Sequence, residues 1–534
     1  MVTHSPYPEV PIPSTDLWKF LFQRQNRPFP DSKVILTDTT THRSYTFSNI
    51  RTLSSNLGSS LQQKWNWQKG DLLTLVLPNS IDLPLIAWGT ISIGGVVSPL
   101  NLATAGNGLA HYLKDSGSKA VITQRAQYQV VSKAAQEAGL GKSRVVALED
   151  INQDMWLPDT SDARPQGSES PPIPDPAHET AFLVYSSGTS GLPKGVMLSH
   201  TNIVANMIQT LSVDSGALTS RDTTLAFLPM SHIMGIFVIN YALFLGMTTV
   251  IMPRFNLEEV CSAIQKYKIT YSYIVPPVLL QLVQNPLVAR YNLSSIRMFT
   301  SAGSPISPEL IHRARNKLSL PVRQSYGMSE CSPCTHLQTW EEGTEFPGAV
   351  GRLLPNMRAK YVSVDGETVS PGKQGELWVK GPNVFLGYLG NKKASEEAFS
   401  ADGFYKTGDV GYEDCRGQLF ITDRVKELIK YNTFQIAPAE LEGLLLGHSA
   451  VADVAVVGVP SGQVGSEHAR AYVVAKDKER ATEQTARDIE EFVREKVVHY
   501  KRLRGGVRFV DEIPRNPSGK ILKRELKERR CSRL

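Results

Sequence analysis

The sequence predicts an α/β protein, with a large N-terminal body of largely parallel sheets flanked by helices and a small, mobile α+β lid domain at the C-terminus. Three observations carry that prediction. Apolar runs of strand length alternate with helical patterns over most of the first four hundred residues, as parallel sheets covered by crossover helices require. At 534 residues the chain is too long for one core, because domains average roughly 150 residues. Near Asp423 the alternation gives way to a compact mixture of helices and strands, which divides the chain into residues 1–425 and 426–534.

Along the body, "DLLTLVLPNS" reads as a strand and precedes a helical stretch around Leu85 to Ile93. Ile203, Val204, Met207, Ile208 and Leu211 recur at helical spacing and define one apolar face. "MTTVIM" is a further strand before "NLEEVCSAIQKYK", where Asn256 and Glu259 have capping-box spacing. "ITYSYIV", the helical "PPVLLQLVQ" and "SIRMFTSAG" continue the alternation. The Pro-, Ser- and Asp-rich segment from Pro158 to Glu179 breaks it and reads as a solvated connector. In the small domain, helices are expected around Pro438 to Leu446 and Thr485 to Val498, with strands at "VADVAVVGVP", "ARAYVVAKD" and "GGVRFVDE".

Composition narrows the function classes. With 41% hydrophobic and 20% charged residues the chain is ordinary globular protein, and its net charge of +6 is too small an excess for a nucleic-acid binder. It is compatible with anionic ligands. No apolar run reaches the ~18 residues of a membrane span, and "MVTHSPYPEVPIPSTD" lacks a signal-peptide pattern, so the expectation is an intracellular protein or one imported folded. Five cysteines exclude a disulfide framework. Cys331 and Cys334 in "ECSPC" have redox-motif spacing without a second pair for zinc, and read as packing or pocket-lining thiols.

One stretch, "AFLVYSSGTSGLPKGVMLSH", has the composition of a phosphate cradle: Ser186, Ser187, Gly188, Thr189, Ser190 and Gly191, then Lys194. A Walker loop would end in Gly-Lys-Ser/Thr at the start of a helix. Here Pro193 lacks an N–H and disfavours helix at Leu192, while Gly195 offers no hydroxyl for a metal, which sets Lys194 on a turn. Backbone amides, hydroxyls and an ammonium still form a polyphosphate clamp.

Further polar clusters follow in order. "LPMSHIMG" places His232 after a strand-like run, and "QSYGMSE" puts Tyr326, Ser329 and Glu330 on a Gly-bearing turn. "GFYKTGD" ends in Asp409. "DRVKELIKYNTFQIAPAELE" gathers Arg424, Lys426, Lys430 and Gln435, and "PRNPSGKILKREL" presents Lys520 after a Pro/Gly turn. Singly, each has a bland explanation as a core, cap or surface residue.

Together, from "LPNS" near Leu77 to "PSGK" at Lys520, they resemble the adenylate-forming superfamily of acyl-CoA synthetases, adenylation domains and beetle luciferases, most closely its 4-coumarate:CoA ligase-like branch. The resemblance implies ATP, Mg2+ and CoA as cofactor and co-substrates. It makes Ser186 to Gly191 and Lys194 the clamp on the β- and γ-phosphates, Glu330 the magnesium-associated carboxylate, and Tyr326 the residue along the adenine, with Ser329 among the nucleotide contacts. Asp409 becomes the ribose acceptor, Arg424 a nucleotide contact, and Lys520 the bridge between acyl carboxylate and α-phosphate. Rotation about Lys426 would then present Lys430 and Gln435 for thioester formation, and His232 would stand between the acyl pocket and the thiol tunnel. One departure bears on CoA: relatives usually read Tyr-Lys-Gly-Phe-Gln where this chain has Tyr431-Asn432-Thr433-Phe434-Gln435. A threonine Cβ obstructs approaches that glycine permits.

By the same resemblance the acyl pocket is lined by His232, Ile233, Met234, Thr300, Gly303, Ser325, Gly327, Pro333 and Cys334. Hydroxycinnamate ligases commonly carry tyrosine and lysine where this chain has Met234 and Thr300, which favours a less polar acid: fatty, phenylalkanoic or polyketide-derived. Amino-acid-activating domains place an aspartate where this chain has Ile233. The expectation is a free-standing, AMP-forming acyl-CoA ligase; the alternative is a luciferase-like monooxygenase acting through the same adenylate. The terminal Ser532-Arg533-Leu534 is a close variant of the SKL address, implying a peroxisomal import receptor as partner and the peroxisome as location.

Overall fold

A computed structural model describes residues 2–101, 108–151, 173–186, 193–304, 306–370, 372–431, 434–462, 466–515 and 521–528. Most of the predicted connector from Pro158 to Glu179 lies outside them. The first sheet has seven strands. Its interior strand Leu72–Val76 is buried along its whole length and pairs in parallel with Val96–Leu100 and Ala120–Thr123. Burial on both faces explains why these strands read as continuous apolar runs. Towards one edge the direction reverses in a hairpin, β1 (Thr180–Ser186) and β2 (Lys194–Ser199), in which Ser186 is the register partner of Lys194.

Helix α1 (His200–Asp214) follows directly, with a capping box between Ser199 and Asn202. The sequence gives it one apolar face, but the structure buries its polar side as well, including Asn202, Asn206, Gln209 and Asp214. Amides at these positions are tolerable because each has partners: Asn206 Nδ2 donates to the Cys334 carbonyl at 2.8 Å, and Asn206 Oδ1 accepts from the Cys334 N–H at 3.1 Å. Helix α2 (Ile233–Leu245) is apolar all round and accordingly interior.

The second sheet has nine strands, with Thr223–Ala226, Thr248–Ile251, Tyr271–Ile274, β3 (Met298–Ser301) and β4 (Val322–Gly327) in parallel. The predicted helix after Asn256 runs Leu257–Tyr267, and the Asn256 side chain accepts from the Glu259 N–H at 3.0 Å. A third, five-stranded antiparallel sheet completes the body. It contains Gly375–Lys380, whose alternating burial marks a sheet with one wet face, and β5 (Tyr405–Glu413) paired antiparallel with β6 (Leu419–Arg424).

The smaller C-terminal domain opens with the hairpin Ile429–Tyr431/Phe434–Ile436. Helix α3 (Pro438–Leu446) then packs on Val451–Pro460 and Glu467–Ala475, and the last described element is α4 (Lys523–Glu528). Among the described residues no helix is long and apolar enough to cross a membrane.

Candidate active site

The site forms where the three sheets of the body meet. Glycine at 327 is required by contact, because a Cβ there would lie 1.9 Å from the Pro333 carbonyl oxygen. That tight return, ending β4, brings Glu330 back beside the strand. Across the site, β5 and β6 set Asp409 opposite Arg424 in register. The Arg424 guanidinium lies 3.0 Å from Asp409 Oδ1, and the Tyr326 hydroxyl donates to Asp409 Oδ2 at 2.6 Å. The sequence-predicted Tyr326, Asp409 and Arg424 are therefore one bonded cluster, with Ser329 and Glu330 buried on the adjoining turn.

Burial pushes the Glu330 carboxyl above the usual glutamate range, while the Tyr388 hydroxyl and the Arg424 charge draw it back. Tyr388 donates to Glu330 Oε1 at 3.0 Å, and its ring lies 4.6 Å from Lys194 Nζ. One tyrosine thus links the expected metal carboxylate to the expected phosphate lysine. Sequence reasoning passed over Tyr388 because nothing in "FLGYLG" ties it to a residue 58 positions away. Among the described residues no three His, Cys, Asp or Glu side chains gather as a metal cage. A single buried carboxylate suits magnesium carried in on a polyphosphate, since Mg2+ keeps waters and takes phosphate oxygens beside one or two carboxylates.

Removing the Tyr388 hydroxyl is expected to weaken this arrangement without unfolding the protein. A hydrogen bond to a charged group contributes about 1.5–3 kcal/mol, so Tyr388→Phe should raise the Mg2+ concentration for half-maximal pyrophosphate exchange by roughly 10-fold or more. A magnesium titration of the two proteins checks this, and superimposable curves would remove Tyr388 from the site.

His232 caps α2, its Nδ1 accepting from the Met234 N–H at 3.2 Å, and burial pushes it down to about 4, so the ring is neutral at physiological pH. A small cavity of about 10 Å3 is lined by Leu225, Leu228, Met230, Gly235, Val238 and Tyr273. Ile233 is buried, Met234 is half-buried, Gly303 has φ +84°, and Ser325 pairs with Leu337 in the sheet. Pro333 and Cys334 are buried, and Cys334 Sγ donates to the His336 carbonyl at 3.1 Å. Burial pushes the Cys334 thiol up to about 12 and raises Cys331 well above the ordinary thiol range, which keeps both thiols protonated.

Thr300 has an unanticipated setting. It is fully buried; its Oγ1 accepts from Arg323 Nε at 2.9 Å and lies 2.6 Å from the Tyr271 hydroxyl. Arg323, itself fully buried, pairs with Asp214 at 2.7 Å, and Asp214 also accepts from the Tyr241 hydroxyl at 2.7 Å. This interior ion pair was missed, although an arginine directly after the apolar Leu320-Pro321-Val322 at the start of β4 is a signal that a partner must exist.

Lys430 is exposed on the small domain, paired in register with Gln435. Lys426 is exposed at the junction between the domains. Ser187 to Gly191, Lys520, Asn432, Thr433 and Ser532 to Leu534 lie outside the described residues.

Residues 22–389 match the family model described as AMP-binding enzyme, and residues 440–520 its C-terminal domain. The chain is 36% identical over 542 residues to a protein named probable 4-coumarate–CoA ligase 1 of Dictyostelium discoideum, covering 98% of this chain and 97% of that one. It is 34% identical to the peroxisomal OPC-8:0-CoA ligase 1 of Arabidopsis thaliana, covering 98% and 94%. Among solved structures, ATP-bound MatB from Rhodopseudomonas palustris is 26% identical, with a TM-score of 0.84 over 96% of this chain and 98% of that one. The apo form of the same protein scores 0.75 over the same coverage.

Proposed function

The chain belongs to the AMP-binding enzyme family, and from that membership we propose that it is an ATP-dependent, AMP-forming ligase that joins a relatively apolar carboxylic acid to CoA. The observation that carries this reading is the Tyr326–Asp409–Arg424 cluster with Glu330, Tyr388 and Lys194 beside it. In the first half-reaction an acid oxygen attacks the α-phosphorus of ATP, the bond to the β-phosphate oxygen breaks, and pyrophosphate leaves with both bonding electrons. Two anions must meet, so the protein acts chiefly through alignment and charge neutralisation. Lys194 and the loop from Ser186 to Gly191 meet the departing phosphates, Asp409 and Arg424 hold the ribose end, and Lys520 meets the carboxylate and α-phosphate. Magnesium, when bound through Glu330, neutralises further phosphate charge.

In the second half-reaction the CoA sulfur attacks the acyl carbonyl and AMP leaves. Rotation of the small domain (residues 426–534) about Lys426 presents Lys430 and Gln435 to that step, and neutral His232 separates the acyl pocket from the incoming thiol. The predominantly apolar α2, which begins directly after His232, supports an apolar acyl chain. The CoA ligases among the relatives favour thioester formation over the oxygen-dependent alternative.

A pyrophosphate-exchange screen across fatty, phenylalkanoic and hydroxycinnamic acids tests the reading, followed by incubation with oxygen, with and without CoA. Acyl-CoA should accumulate with apolar acids. Light or CO2 release without thioester would sink the ligase assignment. The Ser532-Arg533-Leu534 tripeptide supports a peroxisomal address. Deleting it should move a tagged protein from peroxisomes to cytosol with catalysis intact, and an unchanged punctate pattern would refute the address.

A further inference from the structure

Asp423 is a buried carboxylate on β6, 6% exposed, that the chemistry above does not use. Its two oxygens face different domains. Oδ1 accepts from the Arg424 N–H at 2.7 Å, and Oδ2 accepts from the N–H of Ala439 in the small domain at 3.2 Å. Ala439 is in the first turn of α3, whose own N-cap residue, Ala437, supplies no capping side chain. A carboxylate there meets both an orphan amide and the positive end of the helix. The small domain also brings up a cation: Lys523 of α4, with Nζ 3.1 Å from Glu442 and 3.3 Å from Glu427, lies close enough to attract Asp423. Glu442 opposes that attraction and accepts from the Val456 N–H at 2.8 Å, tying α3 to its sheet.

We propose that Asp423 is a positioning residue for adenylation: it couples the nucleotide-gripping Arg424 to the N-terminus of α3 and so sets the orientation of the small domain, with Lys523 as counter-charge. This rests on the two-half-reaction reading above. Arg424 reaches Asp409 through its side chain and Asp423 through its own amide, so anything that orders Arg424 also orders the bridge to α3. Burial pushes the Asp423 carboxyl up to about 7, while Lys523 and the amides of Arg424 and Ala439 draw it back.

Asp423→Asn and Asp423→Ala in the full-length protein test the proposal, with pyrophosphate exchange and single-turnover thioester formation from supplied acyl-AMP measured separately. Exchange should fall roughly 10-fold or more, the scale of one charge-assisted hydrogen bond, while thioester formation stays within about twofold. Asn removes a charge that burial disfavours and nearly preserves shape, so its melting temperature should match the wild type. Equal losses in both half-reactions, or none in either, would overturn the role. A second readout does not depend on turnover. Cys415 is exposed whereas Cys261, Cys331 and Cys334 are buried, so with Cys531→Ser and Glu479→Cys a spin-label pair reports the distance between domains. With ATP the Asp423 variants should broaden that distance distribution, and distributions identical to wild type would overturn the bridge. Wild-type protein without acid-dependent exchange would instead refute the ligase reading and leave the distances to judge Asp423.

Discussion

Replacing Lys520 with alanine is expected to depress acid-dependent pyrophosphate exchange by roughly 10²- to 10³-fold, the loss typical of one preorganised electrostatic contact. In the proposed mechanism the lysine acts only where carboxylate and α-phosphate approach each other, and their repulsion is the barrier it offsets. Once the adenylate exists that repulsion is gone. Thioester formation from supplied acyl-AMP should therefore largely survive. The complementary variant Lys426→Pro fixes φ and removes a backbone donor at the proposed pivot, so exchange should stay near normal while CoA transfer falls. Measuring both half-reactions for both variants decides it; losses in the swapped order would overturn domain rotation for this chain.

The second large effect concerns stability. Thr300→Lys copies the residue that hydroxycinnamate ligases commonly carry, yet here it should unfold the protein instead of admitting a phenol. The new ammonium would sit beside Arg323 in a fully buried site where Asp214 is already that arginine's partner. An uncompensated interior charge costs about 3–5 kcal/mol, a large share of a domain's net stability. Thr300→Val should be milder, about 1–3 kcal/mol, because Arg323 and Tyr271 each lose one partner. Denaturant midpoints for the two variants check the order. A folded Thr300→Lys with improved hydroxycinnamate turnover would show that position 300 opens into the acyl pocket.

This contrast illustrates what the sequence can and cannot carry. Local rules located the helices after Asn256 and at Pro438–Leu446, because capping spacing and a proline at the first turn act within a few residues. Motif chemistry likewise picked out Tyr326, Asp409 and Arg424, whose contacts the fold then assembles. Partners chosen by tertiary approach left no local trace. Tyr388 meets Glu330 only because the short strand Gly387–Tyr388 pairs with β2, and Asp423 meets Ala439 only because α3 folds back on β6. The polar side of α1 misled for a related reason: asparagine reads as exposed until the backbone carbonyls that receive its amide are placed beside it.

The pairing of Ser186 with Lys194 makes chain length, as much as chemistry, a constraint on the proposed phosphate clamp. Adding one residue within β2 ahead of its paired core would turn the lysine to the opposite face of the hairpin, since side chains alternate with every step. Adding two would restore the face but carry the ammonium roughly 7 Å along the strand axis. Point substitutions in the motif can be graded in strength, whereas insertions there act as an all-or-none change of aim. A library of length variants should consequently return a sharper boundary of tolerance than any library of residue exchanges at the same positions.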